Sequence, residues 1–320
     1  MFLGIELLLS FSAKRSNAWG FFAHRRINRL AVFTLPPAMM PLYKGNIEFV
    51  TEHATDPDKL RYVLKEEGAH HYIDIDHYGI YPWDNLPRKW NEAVQKFSRD
   101  SLLTHGIVPW HALQIYYRLE EAFKRNDQSA ILKWSAYLGH YVADACVPLH
   151  ATSNYDGQFT HQKGIHALWE SNIPELLADS TFDYWTGKSE FIDHPGNYIW
   201  TLVLESGKAA DTVLQIQKEL LRTFPPSQIY AFTNRNSQLI RSFSPQFVTA
   251  YNLRLNGMVE RRMLQSIHAI SSLWYTAWVN AGQPDLHQLS HKTFSEEEET
   301  AFKTLDQQWH GASISDRLHE

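Results

Sequence analysis

The sequence predicts an all-α fold, a single multi-helix domain built around bound metal, and three observations carry that expectation. Apolar residues recur at helical spacing through most of the 320 residues. Alternating runs that mark strands are nearly absent, HHYIDIDHY at 70–78 being the one strand-like stretch. Residues 138–170, LGHYVADACVPLHATSNYDGQFTHQKGIHALWE, hold two His-x-x-x-carboxylate pairs. At 3.6 residues per turn, that spacing puts both side chains of a pair on one helix face.

The elements follow in order. Residues 1–18 are read as an export signal. The apolar run from Phe2 to Ala13 is followed by Ser16, Asn17 and Ala18, small residues of the kind a signal peptidase reads. The signal is atypical, because the run contains Glu6 and the basic pair Lys14–Arg15 follows it. Cleavage after Ala18 leaves Trp19 at the mature N-terminus and a secreted or periplasmic protein. Phe22, Ile27, Leu30 and Ala31 then repeat with helical spacing. Residues 110–124 and 130–146 are amphipathic, with Ile131, Trp134 and Leu138 on the apolar face of the second. Pro148 ends that helix just before His150, so His150 can turn towards a different ion. A long helix covers about 197–222, and after Pro225–Pro226 a loop runs to about 244. Residues 245–281 form the longest predicted helix, with Phe247, Tyr251, Leu255, Met258, Ile267, Ile270, Trp274 and Trp278 near one stripe. Gly282 and Pro284 stop it. The domain therefore spans 19–285, and 286–320 is a polar tail, either a peripheral helix or a mobile end. No stretch reaches the roughly 18–20 apolar residues of a membrane-spanning helix.

Composition narrows the classes of function. The chain is 44% hydrophobic and 20% charged, as a soluble domain with a sizeable core is. A formal charge of −5 gives no basic footprint for duplex nucleic acid, although bound divalent ions would offset it locally. Cys146 is the single cysteine, which rules out an intramolecular disulfide and reads as a small buried hydrophobe. The seventeen histidines are the outlier.

Five of the candidate ligands lie in the 138–170 stretch: His140, Asp144, His150, His166 and Glu170. Upstream are Trp19, His24, Asp56, Asp58 and His71. Imidazole nitrogen with some carboxylate oxygen is a donor set suited to Zn²⁺. A lone helical histidine is usually a core or surface residue, which is the reading for His105, His111, His194, His268, His287, His291 and His310. His53, His70 and His77 are expected to support ligands or to lie on the surface. Asp74 and Asp76 either hold ligating histidines or cap turns.

In this order, the motifs resemble the superfamily of zinc-dependent phospholipases C and single-strand-specific nucleases, three-zinc phosphodiesterases of all-α fold. The resemblance runs from Trp19 to about Glu175. It implies that the Trp19 amine and carbonyl bind zinc and that His24 is the ligand of the first helix. It implies that Asp58, in an Asp-x-x-Arg segment with Arg61, is a zinc-bound carboxylate. One ion would take Asp58, His71, His140 and Asp144, and a neighbour would take Trp19, His24 and Asp144, with Asp144 bridging. A third would take His150, His166 and Glu170. The gap from 150 to 166 and the final Glu170 are phospholipase-like, whereas the Trp19–His24 spacing is nuclease-like.

The implied reaction is hydrolysis of a phosphodiester by a metal-activated water, with Asp58 as metal ligand and proton acceptor. A phospholipid headgroup is the favoured substrate, ahead of single-stranded nucleic acid, and Asn154, Tyr155 and Gln158 lie where a loop would touch it. A non-catalytic, zinc-stabilised binding protein is the third reading. A di-iron bundle lacks its second Glu-x-x-His motif, and no His-Asp dipeptide occurs to suggest that class of phosphohydrolase. No stable protein partner is implied.

Overall fold

The computed structural model describes residues 20–235, 238–289 and 294–311. Trp19, the expected signal at 1–18 and His291 lie outside the described residues. The fold is all-α apart from one two-stranded hairpin among those residues.

The chain opens with α1 (Gly20–Val32), then the short α2 (Met40–Gly45) and α3 (Ile47–Glu52). A 3-10 turn, His53–Thr55, runs directly into α4 (Asp56–Leu60). Next come α5 (Trp90–Phe97), α6 (Arg99–His105), α7 (Val108–Lys124) and α8 (Gln128–Ala145). After the 3-10 turn Pro148–Ala151, α9 (Ile165–Ala167) continues through two π-helical turns, Leu168–Asn172 and Pro174–Ala178, into α10 (Asp179–Thr181). The long α11 (Pro195–Thr223) leads to β1 (Tyr230–Arg235) and β2 (Gln238–Phe243). The chain ends with α12 (Pro245–Arg254), α13 (Met258–Asn280) and α14 (Glu296–Gly311).

The hub is α8. The Asp127 side chain caps its N-terminus, accepting from the Ala130 amide at 3.0 Å. Its apolar residues are not confined to one stripe, so it cannot sit on a surface. It is surrounded by α1, α7, α11 and α13. The last carbonyls of a helix have no partner within it. Here Ser206 donates to the Ala145 carbonyl at 2.7 Å and Arg262 Nε to that of Cys146 at 2.8 Å. Side chains of α11 and α13 therefore fix the turn that carries Asp144.

One close approach sets the distance between α1 and α8. Gly139 faces Asn28, and a Cβ there would lie 2.0 Å from Asn28 Oδ1. Only glycine admits that contact. Asn28 is fully buried and donates through Nδ2 to the His24 carbonyl at 3.1 Å.

Three expectations are corrected. The strand-like run at 70–78 is not a strand. It threads between other segments, its Ile73 amide bonded to the His150 carbonyl and its Asp74 amide to that of His105. Ile73 and Ile75 alternate because both point into the core. The loop expected after Pro225–Pro226 instead contains the antiparallel pair β1–β2, in register from Tyr230↔Phe243 to Arg235↔Gln238. Phe232 and Leu239 on it are 67% and 72% exposed, so the alternation of a buried face is not written there in the sequence. The single helix expected at 245–281 is two, broken where Asn256 and Gly257 both take positive φ, 50° and 71°. The tail forms α14, which packs on α4 and is tied there by the Lys59–Asp306 ion pair at 2.6 Å.

Candidate metal centre

Helix α1 supplies His24, α4 supplies Asp58, and His71 follows the 3-10 turn Glu67–His70. His140 and Asp144 sit one turn apart on α8, with His150 in the 3-10 turn that Pro148 starts. His166 lies on α9 and Glu170 in the adjoining π turn. That second His-x-x-x-acid pair therefore spans a change of helix type, yet His166 Nε2 and Glu170 Oε1 remain 2.9 Å apart.

The fold gathers these side chains into three groups, within each of which the donor atoms lie within 4.8 Å of one another: His24, Asp58 and His140; His71, His140 and Asp144, which share His140; and His150, His166 and Glu170. His24 is thus grouped with Asp58 and His140, while its Nε2 also lies 3.3 Å from Asp144 Oδ1. Its ring stacks on that of His140 with centroids 3.9 Å apart. The two oxygens of Asp144 face different partners. Oδ1 looks to His24, whereas Oδ2 lies 2.9 Å from His71 Nδ1 and 3.2 Å from His140 Nε2. That is the geometry of a bridging carboxylate. Asp58 Oδ1 stands slightly back, at 3.8 and 3.7 Å from the same two nitrogens. Asp56 is not available to the cluster, because His53 and Lys59 pair with it.

The donor chemistry fits metal. His140 Nδ1 donates to the Ala54 carbonyl at 2.8 Å, His150 Nδ1 to the His71 carbonyl at 2.6 Å, and His166 Nδ1 to the Tyr155 carbonyl at 3.0 Å. A carbonyl only accepts, so each Nδ1 must carry a proton and each Nε2 is the nitrogen turned into the cluster, able to bind a metal when it is deprotonated. His71 is reversed. Its Nδ1 faces the cluster, and its Nε2 faces Glu67 Oε1 at 3.6 Å.

Electrostatics points the same way. Burial disfavours charge on Asp144, yet His140 and His150 outweigh it and hold its carboxyl well below the usual range. Burial likewise opposes Glu170, but His166 and His150 pull it down to about 2. Burial would lower His140, while Asp144 and Asp58 raise it to about 9. Burial and the neighbouring His140 depress His24. The cluster thus holds ionised carboxylates in a dry interior and draws positive charge to balance them, which is what a divalent ion supplies.

Glu67 carries a role that the spacing did not announce. It is buried, accepts from the Tyr141 hydroxyl, and lies 3.1 Å from His70 Nδ1 as well as against His71. Burial works against its charge, but those two histidines keep it ionised. Its position four before His71 was the available signal. His70 in turn stacks on His111 with centroids 3.7 Å apart, and His77 stacks on His105 at 3.4 Å. Asp76 accepts from Ser153 and Thr152, anchoring the loop between the ligand pairs. Buried Asp156 accepts from the amides of Gly164 and His166 at 2.8 and 3.2 Å and so sets the start of α9. Asn154 spends its amide on Thr160 and Phe159 within the loop, while the Tyr155 carbonyl orients His166.

A family model described as zinc dependent phospholipase C matches residues 23–219, more than half of the chain and all the described cluster residues. No curated protein matches the sequence.

Proposed function

The chain belongs to the zinc-dependent phospholipase C family, and from that premise we propose that it hydrolyses phosphodiesters in the manner of a phospholipase C. Three zinc ions would be held by Asp58, His71, His140 and Asp144, by Trp19, His24 and Asp144, and by His150, His166 and Glu170. Bound zinc supplies Lewis acidity to the phosphoryl group and makes water acidic enough to be deprotonated near neutral pH.

The observation that carries the reading is Asp58. Its side chain is 22% exposed, whereas the other seven described cluster residues are at most 6% exposed. The buried residues are committed to one another, and Asp58 is the carboxylate a substrate and its attacking water can reach. It orients that water and accepts its proton at a carboxylate oxygen. Asp144, gripped from both oxygens, and His140, fixed by the Ala54 carbonyl, keep the site rigid while Asp58 works. Tyr155 and Asn154, in the loop that orients His166, would be the side chains to meet the substrate. No helix among the described residues is long and apolar enough to cross a membrane, and residues 1–18 are read as an export signal.

The test is a substrate profile of zinc-loaded protein beginning at Trp19, with Asp144→Ala as the control for contaminants. Turnover of bis-p-nitrophenyl phosphate separates an enzyme from a zinc-stabilised binding protein. Faster release of phosphorylated headgroup from short-chain phosphatidylcholine than cleavage of single-stranded DNA supports the phospholipase reading. The Trp19–His24 spacing favours a nuclease as the second reading, and nucleic-acid cleavage without lipid turnover would establish it.

A further inference from the structure

A cavity of about 680 Å³ lies apart from the cluster, between α7, the first turn of α11 and residues 88–90. None of the eight clustered residues lines it. Its size falls in the roughly 300–1,000 Å³ range of small-molecule pockets. Trp90, Trp110 and Trp200 form an apolar wall, packed edge to face with centroids 5.7 and 5.0 Å apart. Trp110 Nε1 donates to the Arg88 carbonyl at 2.9 Å, tying the wall to the chain at its mouth.

The charges around this wall are unequally balanced. Arg99 is paired with Glu66 at 3.0 Å and Lys89 with Glu92 at 3.1 Å. Arg88 forms no ion pair among the described residues. Its guanidinium rests 4.4 Å from the Trp200 ring centroid, and its Nη2 reaches the Trp83 carbonyl only at 3.5 Å. Its Nη1 is buried without a hydrogen-bond partner among the described residues. Asp84 acts on Arg88 electrostatically without forming an ion pair, and a half-buried guanidinium whose Nη1 has no hydrogen-bond partner is complemented by carboxylate or phosphate. An aromatic trough beside a cation that forms no ion pair among the described residues matches an apolar chain that ends in a negative head.

We propose that this cavity binds a single-chain anionic amphiphile, its chain along Trp90, Trp110 and Trp200 and its head at Arg88. This site stands independently of the phosphodiesterase reading. His70 lines the cavity and also contacts Glu67 beside His71, so binding is measured on the zinc-loaded protein.

Calorimetric titration with dodecanoate and with dodecyl phosphate, both below micelle formation, tests the assignment. Saturable binding of one anion per chain is expected, and the tighter of the two identifies the head. Arg88→Gln removes the charge, and Leu113→Trp fills the cavity from a lining position. Each should weaken binding by about tenfold or more, with zinc content and melting temperature retained. Three results would overturn the assignment: no saturable binding of either anion, equal binding of dodecyltrimethylammonium, or undiminished binding in both variants. The last would place the anions on the metals. The comparison of ligand charge is made on the parent protein and decides the matter even where a variant fails to fold.

Discussion

Replacing Gly139 with alanine tests how the fold sets the metal cluster. The new Cβ would lie 2.0 Å from Asn28 Oδ1, whereas ordinary contact begins near 3.4 Å. About 1.4 Å must be found, and Asn28 is fully buried with its amide donated to the His24 carbonyl. Either Asn28 turns and loses that bond, costing about 1 kcal/mol, or α1 moves off α8 at an overpacking cost of about 1–3 kcal/mol. Alanine recovers roughly 0.5–1 kcal/mol of helix propensity. The net expectation is destabilisation of up to about 2.5 kcal/mol, a fall in melting temperature of up to roughly 5 °C at about 2 °C per kcal/mol for a chain this long. The damage is directional, because His24 sits one turn before Asn28 and His140 follows Gly139. Zinc stoichiometry should therefore fall together with stability. Thermal melts and metal analysis of Gly139→Ala, Asn28→Ala and the double variant form a cycle in which Asn28→Ala removes the clash and restores part of the loss. A Gly139→Ala protein as stable as the parent, with additive effects around the cycle, would refute the close-approach argument.

Asp58→Asn should lower turnover by about 10²–10⁴-fold and affect the melting temperature far less, since its side chain is partly exposed and the amide keeps the shape while losing the charge that holds the ion and accepts the proton; steady-state kinetics with circular dichroism checks both. Glu67→Gln should weaken zinc binding by about 10–100-fold, because the charge behind His71 is lost and the shape is kept; competition with a calibrated chelator measures it. Chelation should lower the melting temperature, by an amount that grows with zinc affinity. In the metal-free protein the raised His140 pKa adds stability fully present below pH 6.5 and lost as pH rises through about 9. The metal-free melting temperature should accordingly fall across that interval, while the zinc-loaded protein, whose His140 is already deprotonated, should not show this loss.

What the sequence determined by itself was what depends on neighbours along the chain. His140 and Asp144, and His166 and Glu170, are paired by the pitch of a helix, which needs no tertiary information. Pro148 stopped α8 where expected, because a missing amide is a local fact. Order and spacing of these motifs were enough for the family, and helical recurrence of apolar residues for the all-α class. Residues 230–243 hid a hairpin because Phe232 and Leu239 on it are exposed and break the alternation a buried face would write, and the break at Asn256–Gly257 hid inside a stripe that is apolar on both sides of it.

Tertiary structure decided everything that spans long separations. His140 finds the Ala54 carbonyl across 86 residues and His150 finds that of His71 across 79, and these bonds choose which ring nitrogen faces the cluster. The division of Asp144 between His24 and the His71–His140 pair and the contact between Gly139 and Asn28 arise only when α1 and α8 come together. Residue types and helical pitch specify which atoms are able to bind a metal. Packing of distant segments specifies which lone pairs point inward, because hydrogen bonds to carbonyls far along the chain set the orientation of each ring.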